Sequence, residues 1–375
     1  MFPTSAVKLH PSLIFIRYAS ACKAIVQNSF GPSSVLEMVD DYKVEEPKKK
    51  EVLVEVYGSS VNPLDCQQRE GFGKRFFEVT TGQKATFPIC PGCEFSGKVL
   101  KAGPNSSFKV GDRVFGASLA GKSWAERICI NDGTVALAPK TIPLEVAGTF
   151  PKVAISVSGF LKAAKLRSDN CRDKRVFING GSGGIGTFTI QLLKSYSAKE
   201  IAVTCGPDNV ELCSELGAHT VINYKKEDFR EVLRDFDVYL DCINSNDEDR
   251  RSGYGVLRKG GHYLTLVFPW IGNTDESGLL WGTLRAISWL ARMKRDASKN
   301  FGLKFDPCVG MPDQNFLVET ATLIDAGKMR SVVSQNFSLE DMKMAHDIID
   351  SGRAKGKLNV ILKKEEDFMV ENVEG

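Results

Sequence analysis

The sequence contains no run of about 18 apolar residues, so it predicts no membrane-spanning helix. Its net charge is only +3 over 375 residues, which gives no indication of a nucleic-acid partner. Hydrophobic residues make up 42% of the chain and charged residues 25%, as in ordinary globular proteins. A chain of this length predicts two domains, or one domain with a large insertion.

Ten cysteines are scattered along the chain, which favours a reduced, intracellular enzyme over a disulfide framework. Cys90 and Cys93 form a C-x-x-C motif, a spacing found in redox pairs and in zinc sites. The sequence has no second C-x-x-C, no His-x-His and no H-E-x-x-H to complete a metal site. We therefore interpret the motif as two separate thiols in a loop.

Acidic residues are missing before Glu37, whereas Lys8, Arg17 and several serines occur there. The apolar patch at residues 13–16 is too short for a secretory signal. A basic, serine-containing, acid-free start is typical of a mitochondrial presequence. We predict a targeting segment over residues 1–22 and a location in mitochondria, in the matrix. The alternative is an N-terminus without fixed structure.

The rest of the chain changes character near Leu144. Before this point, short strand-like runs are separated at close intervals by Gly and Pro, which indicates a β-rich region. After it, helical patterns alternate with short apolar strands, which predicts an α/β fold with a doubly wound parallel sheet. The stretch over residues 338–362 predicts a helix, a turn and a final strand.

Five glycines lie within residues 180–186, between a predicted strand and a predicted helix. The spacing Gly181-x-Gly183-x-x-Gly186 is that of a dinucleotide-binding fingerprint. Its glycines permit a tight turn, a close approach to pyrophosphate and close packing of helix on strand. The helix N-terminus adds unpaired N–H groups. We predict a dinucleotide site here, and the alternative is a structural turn. The cofactor-binding candidates in the fingerprint are Gly181, Ser182, Gly183, Gly184, Ile185 and Gly186.

The position that binds the ribose of NAD lacks its acidic residue. Thr204, Cys205 and Gly206 end the second predicted strand, where an Asp or Glu would bind the 2′-hydroxyl. Asp208 lies beyond, at a position suited to a helix cap. Tyr224 and the two lysines after it close the third strand. We therefore predict NADPH, with Gly206, Tyr224 and Lys225 in its site; the alternative for Lys225 and Lys226 is a solvated loop.

Three further segments carry a family resemblance, namely SSVNPLDCQQREG (59–71), FPICPGCEFSGKVLKAG (87–103) and FKVGDRVFG (108–116). With the glycine fingerprint, they resemble the zinc-independent quinone oxidoreductase branch of the medium-chain dehydrogenase/reductase superfamily. The resemblance covers nearly all of residues 23–363. It implies a GroES-like domain over 23–150, a Rossmann NADP-binding domain over 151–330, and a return to the first domain over 331–375.

The resemblance also implies contacts and partners that the residues alone do not indicate. Leu266, Gly356 and Lys357 would contact the cofactor. A homodimer and a reticulon-type membrane-protein partner are also implied. Zinc-dependent members of the superfamily bind their metal with Cys, the His of a G-H-E motif, and Cys. Here Asn62 and Cys93 stand at the first two positions, and no cysteine occurs over residues 151–160 for the third, so we predict no metal.

The implied activity is NADPH-dependent hydride transfer to a small-molecule quinone or activated enone, linked to ubiquinone metabolism. Asn62, whose amide can donate to a carbonyl, and Asp65 are the candidate catalytic residues. The alternative for Asn62 is a plain turn. For Asp65 we favour an ion pair with Arg69.

Two alternative functions remain open at this point. The first is an NADPH-dependent enoyl-thioester reductase, although Phe72 stands where those enzymes have a proton-donating tyrosine. The second is a cofactor-binding regulatory or scaffold protein with little turnover.

The segment over residues 279–295 predicts an amphipathic helix. Leu280, Leu284, Ile287 and Ala291 share one face, and arginines lie on the other. We expect the apolar face to pack on the Rossmann domain. The alternative is a peripheral membrane contact that admits a lipophilic quinone.

Overall fold

A computed structural model describes residues 18–81, 85–118, 121–243, 245–266, 268–352 and 354–366. Most of the predicted targeting segment, residues 1–17, lies outside these ranges. Residues 18–22 belong instead to the first strand, which pairs with the second, so the folded unit begins before the predicted boundary. No helix in the described ranges is both long enough and apolar enough to cross a membrane.

Fifteen strands occur in the described residues. They are β1 (Tyr18–Gln27), β2 (Leu36–Glu45), β3 (Glu51–Val61), β4 (Glu94–Ala102), β5 (Arg113–Ala117), β6 (Arg127–Asn131), β7 (Val135–Leu137), β8 (Arg175–Asn179), β9 (Glu200–Cys205), β10 (Thr220–Asn223), β11 (Phe236–Asp241), β12 (Leu257–Thr265), β13 (Lys304–Pro307), β14 (Val333–Phe337) and β15 (Lys357–Ile361).

Eleven α-helices occur in the same residues. They are α1 (Pro63–Arg69), α2 (Lys74–Thr81), α3 (Leu144–Ala147), α4 (Pro151–Ala164), α5 (Gly184–Ser195), α6 (Val210–Leu216), α7 (Phe229–Val232), α8 (Asp247–Gly253), α9 (Trp270–Phe301), α10 (Gln314–Asp325) and α11 (Met342–Asp350).

The β lobe contains a hairpin of β1 and β2 and a larger sheet in the order β14-β15-β3-β4-β5-β7, with β6 also paired to β3. The side chains of β3 are almost all buried, because the sheet is covered on both faces. Gly58 makes one of these contacts possible: a Cβ there would lie 2.5 Å from the carbonyl oxygen of Glu145. The absence of a side chain lets α3 lie directly on the strand.

The α/β lobe contains six parallel strands in the order β10-β9-β8-β11-β12-β13. The strand order reverses beside β8, which creates the crevice where such sheets bind ligands. Val176, Phe177 and Ile178 of β8 are fully buried, as expected for a strand covered on both faces. The parallel sheet agrees with the sequence prediction. The sixth strand, β13, was not predicted, because the segment KFDP is short and has no apolar pattern.

The last two strands carry the chain back to the β lobe. Strand β14 pairs in parallel with β15, and β15 pairs antiparallel with β3. The chain therefore crosses the crevice between the lobes twice. The second crossing brings residues 354–357 to the fingerprint loop, where Gly356 forms a bridge with Gly183.

Helix α9 corrects the expected packing of its apolar face. Gly278 interrupts the helix with φ 78° and ψ 169°. The buried residues beyond this kink are Gly282, Ala286, Met293, Asp296 and Ala297. Leu280, Leu284, Ile287 and Ala291 are instead exposed to solvent. The expectation that this face packs on the domain is wrong, because a second stripe with small residues makes the contact.

Candidate active site

The fingerprint loop joins β8 to α5 through a turn that needs glycine. Gly180 has φ 100°, a conformation that other residues rarely adopt. A Cβ at Gly186 would lie 2.3 Å from the carbonyl oxygen of Gly180, so helix and strand could not approach so closely. Gly183 has the opposite surroundings, since its nearest neighbour would be 3.8 Å away. The space above Gly183 is open.

The N-terminus of α5 can bind an anion. Gly183 is the N-cap and supplies no side chain to the first N–H groups. Those N–H groups have no partner within the helix, and the helix dipole adds partial positive charge. The open space at Gly183 and these donors together fit a pyrophosphate. Gly184 and Ile185 begin the helix, and Ser182 lies in the loop before it.

A buried network of hydrogen bonds holds the fingerprint loop at Gly180. Thr204 Oγ1 accepts a hydrogen bond from the Gly180 N–H at 3.0 Å and donates to Asn179 Oδ1 at 2.6 Å. Asn179 Nδ2 donates to the Tyr239 hydroxyl at 3.0 Å. Thr204 stands where a ribose-binding acid would be predicted, and it is 2% exposed. Its side chain holds the protein loop and is not open to a ribose.

Three predicted cofactor residues lie together at the ends of β9 and β10. Tyr224 is 56% exposed, and its hydroxyl would lie 3.8 Å from a Cβ at Gly206. Lys225 Nζ lies 5.3 Å from the centre of the Tyr224 ring. The exposed carboxylate of Asp208 lies 3.6 Å from the Lys355 ammonium. A cation and an aromatic ring therefore border this end of the crevice.

Leu266 follows β12 directly, and its N–H donates to the Asp241 carbonyl at 3.4 Å. The ends of β8, β9, β10 and β12 meet at one edge of the sheet. The predicted residues of the fingerprint, Gly206, Tyr224 and Leu266 thus lie along that one edge.

A buried ionic cluster lies beside this edge in the β lobe. Lys357 Nζ donates to Glu94 Oε1 at 2.7 Å and to Asn62 Oδ1 at 2.6 Å. Asn62 Nδ2 donates to Glu94 Oε1 at 2.8 Å. Ser60 Oγ donates to the same carboxylate oxygen, and the Lys152 N–H donates to the other oxygen at 2.8 Å. The carboxylate and the ammonium are nearly inaccessible, with 0% and 6% of their side chains exposed.

Lys357 joins the ionic cluster to the fingerprint loop. The Gly356 N–H donates to the Ser182 carbonyl at 3.0 Å. A Cβ at Gly184 would lie 3.1 Å from Lys357 Cδ. The predicted cofactor residues and the predicted catalytic residue Asn62 are therefore brought together by one side chain.

The expected ion pair between Asp65 and Arg69 does not form. Asp65 is the third residue of α1 and turns back to the helix start, where Oδ2 accepts from the Asn62 N–H at 2.8 Å and from Asn62 Nδ2 at 3.2 Å. Arg69 points the other way, to Asp350 at 2.9 Å and to the Gly31 carbonyl at 2.9 Å. The Asp65 carboxylate is therefore held at the start of α1, and the Arg69 guanidinium is held by α11 and by the carbonyl of Gly31.

Burial and charge shift the acidities in opposite directions. Burial raises the pKa of Glu94, but the adjacent Lys357 ammonium and its hydrogen bonds outweigh this effect, so the pKa lies below its usual value. Burial raises the pKa of Asp65, against the hydrogen bond from the Asn62 backbone. Burial also raises the pKa of the Cys93 thiol well above its usual value, and negative Asp65 adds to this. Cys93 is therefore not an activated nucleophile.

Comparisons with known proteins cover both lobes. A family model described as the alcohol dehydrogenase GroES-like domain matches residues 48–156, and one described as zinc-binding dehydrogenase matches residues 216–360. The NAD(P)H oxidoreductase RTN4IP1, mitochondrial, of Homo sapiens is 33% identical over 328 residues, which cover 83% of this chain and 82% of that protein. The protein of the same name from Danio rerio is 31% identical over 330 residues, 84% of each chain.

The chain belongs to the medium-chain dehydrogenase/reductase superfamily. It is an oxidoreductase of the nicotinamide-dependent type, as the sequence predicted. Solved structures of the superfamily share its fold. The quinone oxidoreductase from Coxiella burnetii has a TM-score of 0.74 at 23% identity, with 91% of this chain and 99% of that chain covered. The Escherichia coli quinone oxidoreductase complexed with NADPH has a TM-score of 0.69 at 22% identity, with 91% and 100% covered. The predicted fold class is confirmed.

A zinc ion does not fit the position that corresponds to the metal site of zinc-dependent dehydrogenases. The resemblance places Asn62, Cys93 and Glu94 there, and the Lys357 ammonium lies 2.7 Å from the Glu94 carboxylate. A resident cation would meet this fixed positive charge and a thiol whose pKa is raised. In the ranges that the structure describes, no three His, Cys, Asp or Glu side chains could hold a metal ion together.

The sequence did not predict the side chains that contact Asn62 in this site. Glu94 and Ser60 are part of the quoted segments, but nothing in their spacing indicates a shared contact. Lys357 was assigned to the cofactor by resemblance, and its contact with Asn62 spans 295 positions. The signal that could have indicated the contact is the charge balance: a buried Glu94 requires a buried cation.

Proposed function

We propose that the chain is a mitochondrial, zinc-independent reductase that transfers hydride from NADPH to a quinone or an activated enone. The observation that carries the proposal is the position of Lys357, which contacts the fingerprint loop and the Glu94–Asn62 cluster together. This arrangement supports a cofactor bound across the crevice, with its reactive end directed into the β lobe.

Lys357 is assigned to the cofactor phosphates. An ammonium carries three hydrogens, and two of them are used by Glu94 and Asn62. We assign the third to a cofactor phosphate, because the Lys357 side chain passes beside Gly184 at the N-terminus of α5. Glu94 balances the charge, and Asn62 positions the ammonium through its carbonyl oxygen. Asn62 and Asp65 are therefore proposed as positioning residues around the reaction site.

NADPH is favoured over NADH by the end of β9 and β10. The position at the end of β9 holds Thr204, which is buried and uncharged, and Asp208 follows three residues after the strand in an exposed ion pair with Lys355. Lys225 supplies a positive charge suited to a 2′-phosphate, and Tyr224 supplies a flat surface beside Gly206. The Escherichia coli neighbour, which is described as complexed with NADPH, is in accord with this choice.

The acceptor class is inferred from the way the amide of Asn62 is occupied. Both hydrogens of the Asn62 amide are directed at protein acceptors, Glu94 and Asp65, so the amide does not donate to an acceptor carbonyl. The bound cofactor supplies the hydride. An acceptor that stabilises the resulting negative charge itself, such as a quinone or an enone conjugated to a carbonyl, requires the least help. The second hydrogen then arrives as a proton from solvent, giving the hydroquinone or the saturated ketone.

The test is oxidation of NADPH by the full chain, followed by absorbance, with a short-chain ubiquinone, an aliphatic enone and a crotonyl thioester as acceptors. We expect turnover with the quinone or the enone and little with the thioester. The Gly183→Ala variant, which should bind NADPH more weakly, is the control: at a fixed low NADPH concentration its rate should fall. Preferred reduction of the thioester would favour the enoyl-thioester reductase. Tight NADPH binding without turnover on any acceptor would favour the regulatory function.

The mitochondrial matrix is proposed as the location, with a link to ubiquinone metabolism as the finer function. The acid-free N-terminus supports this, as do the names of the relatives in Homo sapiens and Danio rerio, which include the word mitochondrial. Import of the radiolabelled full chain into isolated mitochondria tests the location. Protection from added protease after rupture of the outer membrane is the expected result, and digestion would contradict it.

A further inference from the structure

Helix α9 presents an apolar stripe to solvent, which we call the outer α9 face. It consists of Leu280, Trp281, Leu284, Ile287 and Ala291. The exposed fractions of the first four are 68%, 64%, 48% and 57%, and Ala291 is exposed as well. Spacings of three and four residues place Leu280, Leu284, Ile287 and Ala291 on one side of the helix, with Trp281 at its edge.

A single exposed leucine needs no explanation, but a continuous stripe of large apolar side chains does. Isolated apolar residues are common on protein surfaces. Contiguous apolar patches usually mark a binding surface. The outer α9 face is not required for the packing of the helix, because the packing contact is made by the opposite side. The buried residues on that side are Gly282, Ala286, Met293 and Ala297.

The charges around the outer α9 face are predominantly positive. Five cations lie between residues 280 and 299, namely Arg285, Arg292, Lys294, Arg295 and Lys299. The single acid in this stretch, Asp296, is 8% exposed and is bound by Arg251 at 2.6 Å. Acids reach three of the cations: Glu276 of the same helix lies 3.8 Å from Arg285, Asp247 lies 3.1 Å from Arg292, and Asp306 lies 2.7 Å from Lys294. Over the whole of α9, five cations stand against three acids, since Asp275 and Glu276 lie before the stripe, so the helix itself carries a net charge of +2.

We propose that the outer α9 face binds the surface of an anionic lipid membrane. The apolar stripe would enter the boundary between head groups and acyl chains, and the flanking cations would contact the lipid phosphates. Trp281 is suited to this boundary, since its ring is apolar and its N–H is polar. A second copy of the chain is a poorer occupant, because two-fold pairing of this helix would bring its arginines and lysines close to those of the other copy.

The position of α9 places the crevice next to that membrane. The helix begins shortly after Leu266 and packs across the crevice on α2 of the β lobe. Asp275 accepts the Arg75 N–H at 2.9 Å, and the rings of Phe76 and Trp270 lie 4.9 Å apart at their centres. Delivery of a lipophilic acceptor from the membrane rests on the proposed function. Membrane binding itself does not.

The experiment is flotation of the full chain with phosphatidylcholine vesicles, with or without phosphatidylglycerol, in the absence of NADPH and acceptor. We expect binding only to the anionic vesicles. Leu284→Gln/Ile287→Gln should reduce binding on the order of tenfold or more, since two apolar side chains no longer insert. Arg285→Gln and Arg295→Gln should each reduce binding roughly fivefold. Val110→Gln/Leu137→Gln is the matched control, since both residues are exposed apolar residues of the β lobe.

A second measurement follows the helix directly. Tryptophan emission should shift to shorter wavelength on binding to anionic vesicles, and Trp281→Phe should remove the shift while binding persists. Equal binding of the wild type and the Leu284/Ile287 variant would overturn the proposal. A second result would also overturn it. If light scattering shows that the wild type is a dimer that binds no vesicles, and that this variant is a monomer, a second copy of the chain covers the face. Unchanged NADPH oxidation in the variant separates these outcomes from failure of the proposed function.

Discussion

The ammonium of Lys357 lies 2.7 Å from the carboxylate of Glu94, and both side chains are almost completely buried. The pair connects the start of β15 to the start of β4 within the β lobe. Lys357 thereby provides the positive charge that the buried Glu94 carboxylate requires. Removing either partner alone leaves an unpaired charge out of reach of water, which is among the most costly defects in a protein interior.

We expect Lys357→Met to lower the free energy of unfolding by about 3–5 kcal/mol, because Glu94 is left without its cation. Lys357→Met/Glu94→Gln should recover at least half of the loss, since the buried charge is then removed as well. Urea denaturation measures both. Lys355→Met is the matched control: its ion pair with Asp208 is exposed, and the expected loss is below about 1 kcal/mol. A single Lys357 variant as stable as the wild type would contradict the buried pair.

Two glycines of the fingerprint should respond differently to the same substitution. Gly183→Ala is expected to fold normally, since the new methyl group has no neighbour within 3.8 Å and φ is −76°. It should weaken NADPH binding at least about tenfold, because the methyl group occupies the space that the pyrophosphate approaches. Titration calorimetry gives the affinity. Unchanged affinity would show that the pyrophosphate does not lie there.

Gly186→Ala serves as the matched comparison. A Cβ there would lie 2.3 Å from the carbonyl oxygen of Gly180 and 2.6 Å from that of Gly181. Backbone atoms cannot move aside as a flexible side chain can, so we expect a loss of about 1–3 kcal/mol in the free energy of unfolding. Thermal unfolding of the two variants side by side separates the role in packing from the role in binding.

The parts of the fold that could be predicted from the sequence are those with a local signal. Val176–Ile178 form an uninterrupted apolar run, and the glycines after them have the spacing of the fingerprint, so strand, loop and helix follow from neighbouring residues. Strand β13 has no such signal, because KFDP is short and half polar. Its place at the edge of the sheet depends on pairing with β12, which local sequence does not encode.

The candidate site depended even more on contacts distant in sequence. Asp65 and Arg69 are four residues apart, a spacing typical of helical ion pairs, yet Asp65 binds the helix start and Arg69 binds the distant α11. On α9, periodicity indicated the helix correctly. It did not decide between the stripe with Leu284 and the stripe with Ala286, because either could face the sheet. The helix packs through the stripe with Ala286, because its smaller side chains allow a closer approach.

We expect Lys225→Met to reduce the preference for NADPH over NADH. The substitution keeps the length of the side chain and removes the charge assigned to the 2′-phosphate. A charge-assisted contact of this kind is worth about 1.5–3 kcal/mol, so the dissociation constant for NADPH should rise roughly tenfold or more while that for NADH changes little. Lys226→Met is the control on the same loop. An equal loss of affinity for both cofactors would remove Lys225 from the 2′-phosphate site.

His346 of α11 is neutral in the folded protein. Its Nδ1 lies 3.0 Å from the Arg69 guanidinium, which can only donate, so Nδ1 must accept. Burial, with the positive charge of Arg69 beside it, lowers the pKa of His346 from 6.5 to about 4, although Asp350 and Asp347 act in the opposite direction. The side chain is completely buried, and the Cys66 thiol shares Nδ1 at 3.1 Å.

This histidine should make the protein less stable in mild acid. Below pH 6.5 the unfolded chain takes up a proton at His346 that the folded chain refuses until about pH 4, so the free energy of unfolding falls across that interval. One pKa unit corresponds to about 1.4 kcal/mol, and the loss between pH 7 and pH 5 from this group is therefore about 2 kcal/mol. His346→Gln keeps an acceptor for Arg69 but cannot titrate. The variant should lose about 2 kcal/mol less than the wild type over the same interval, because all other titrating groups are common to both chains. Urea denaturation at the two pH values measures the difference, and parallel losses in both chains would show that the pKa of His346 is not lowered in the folded protein.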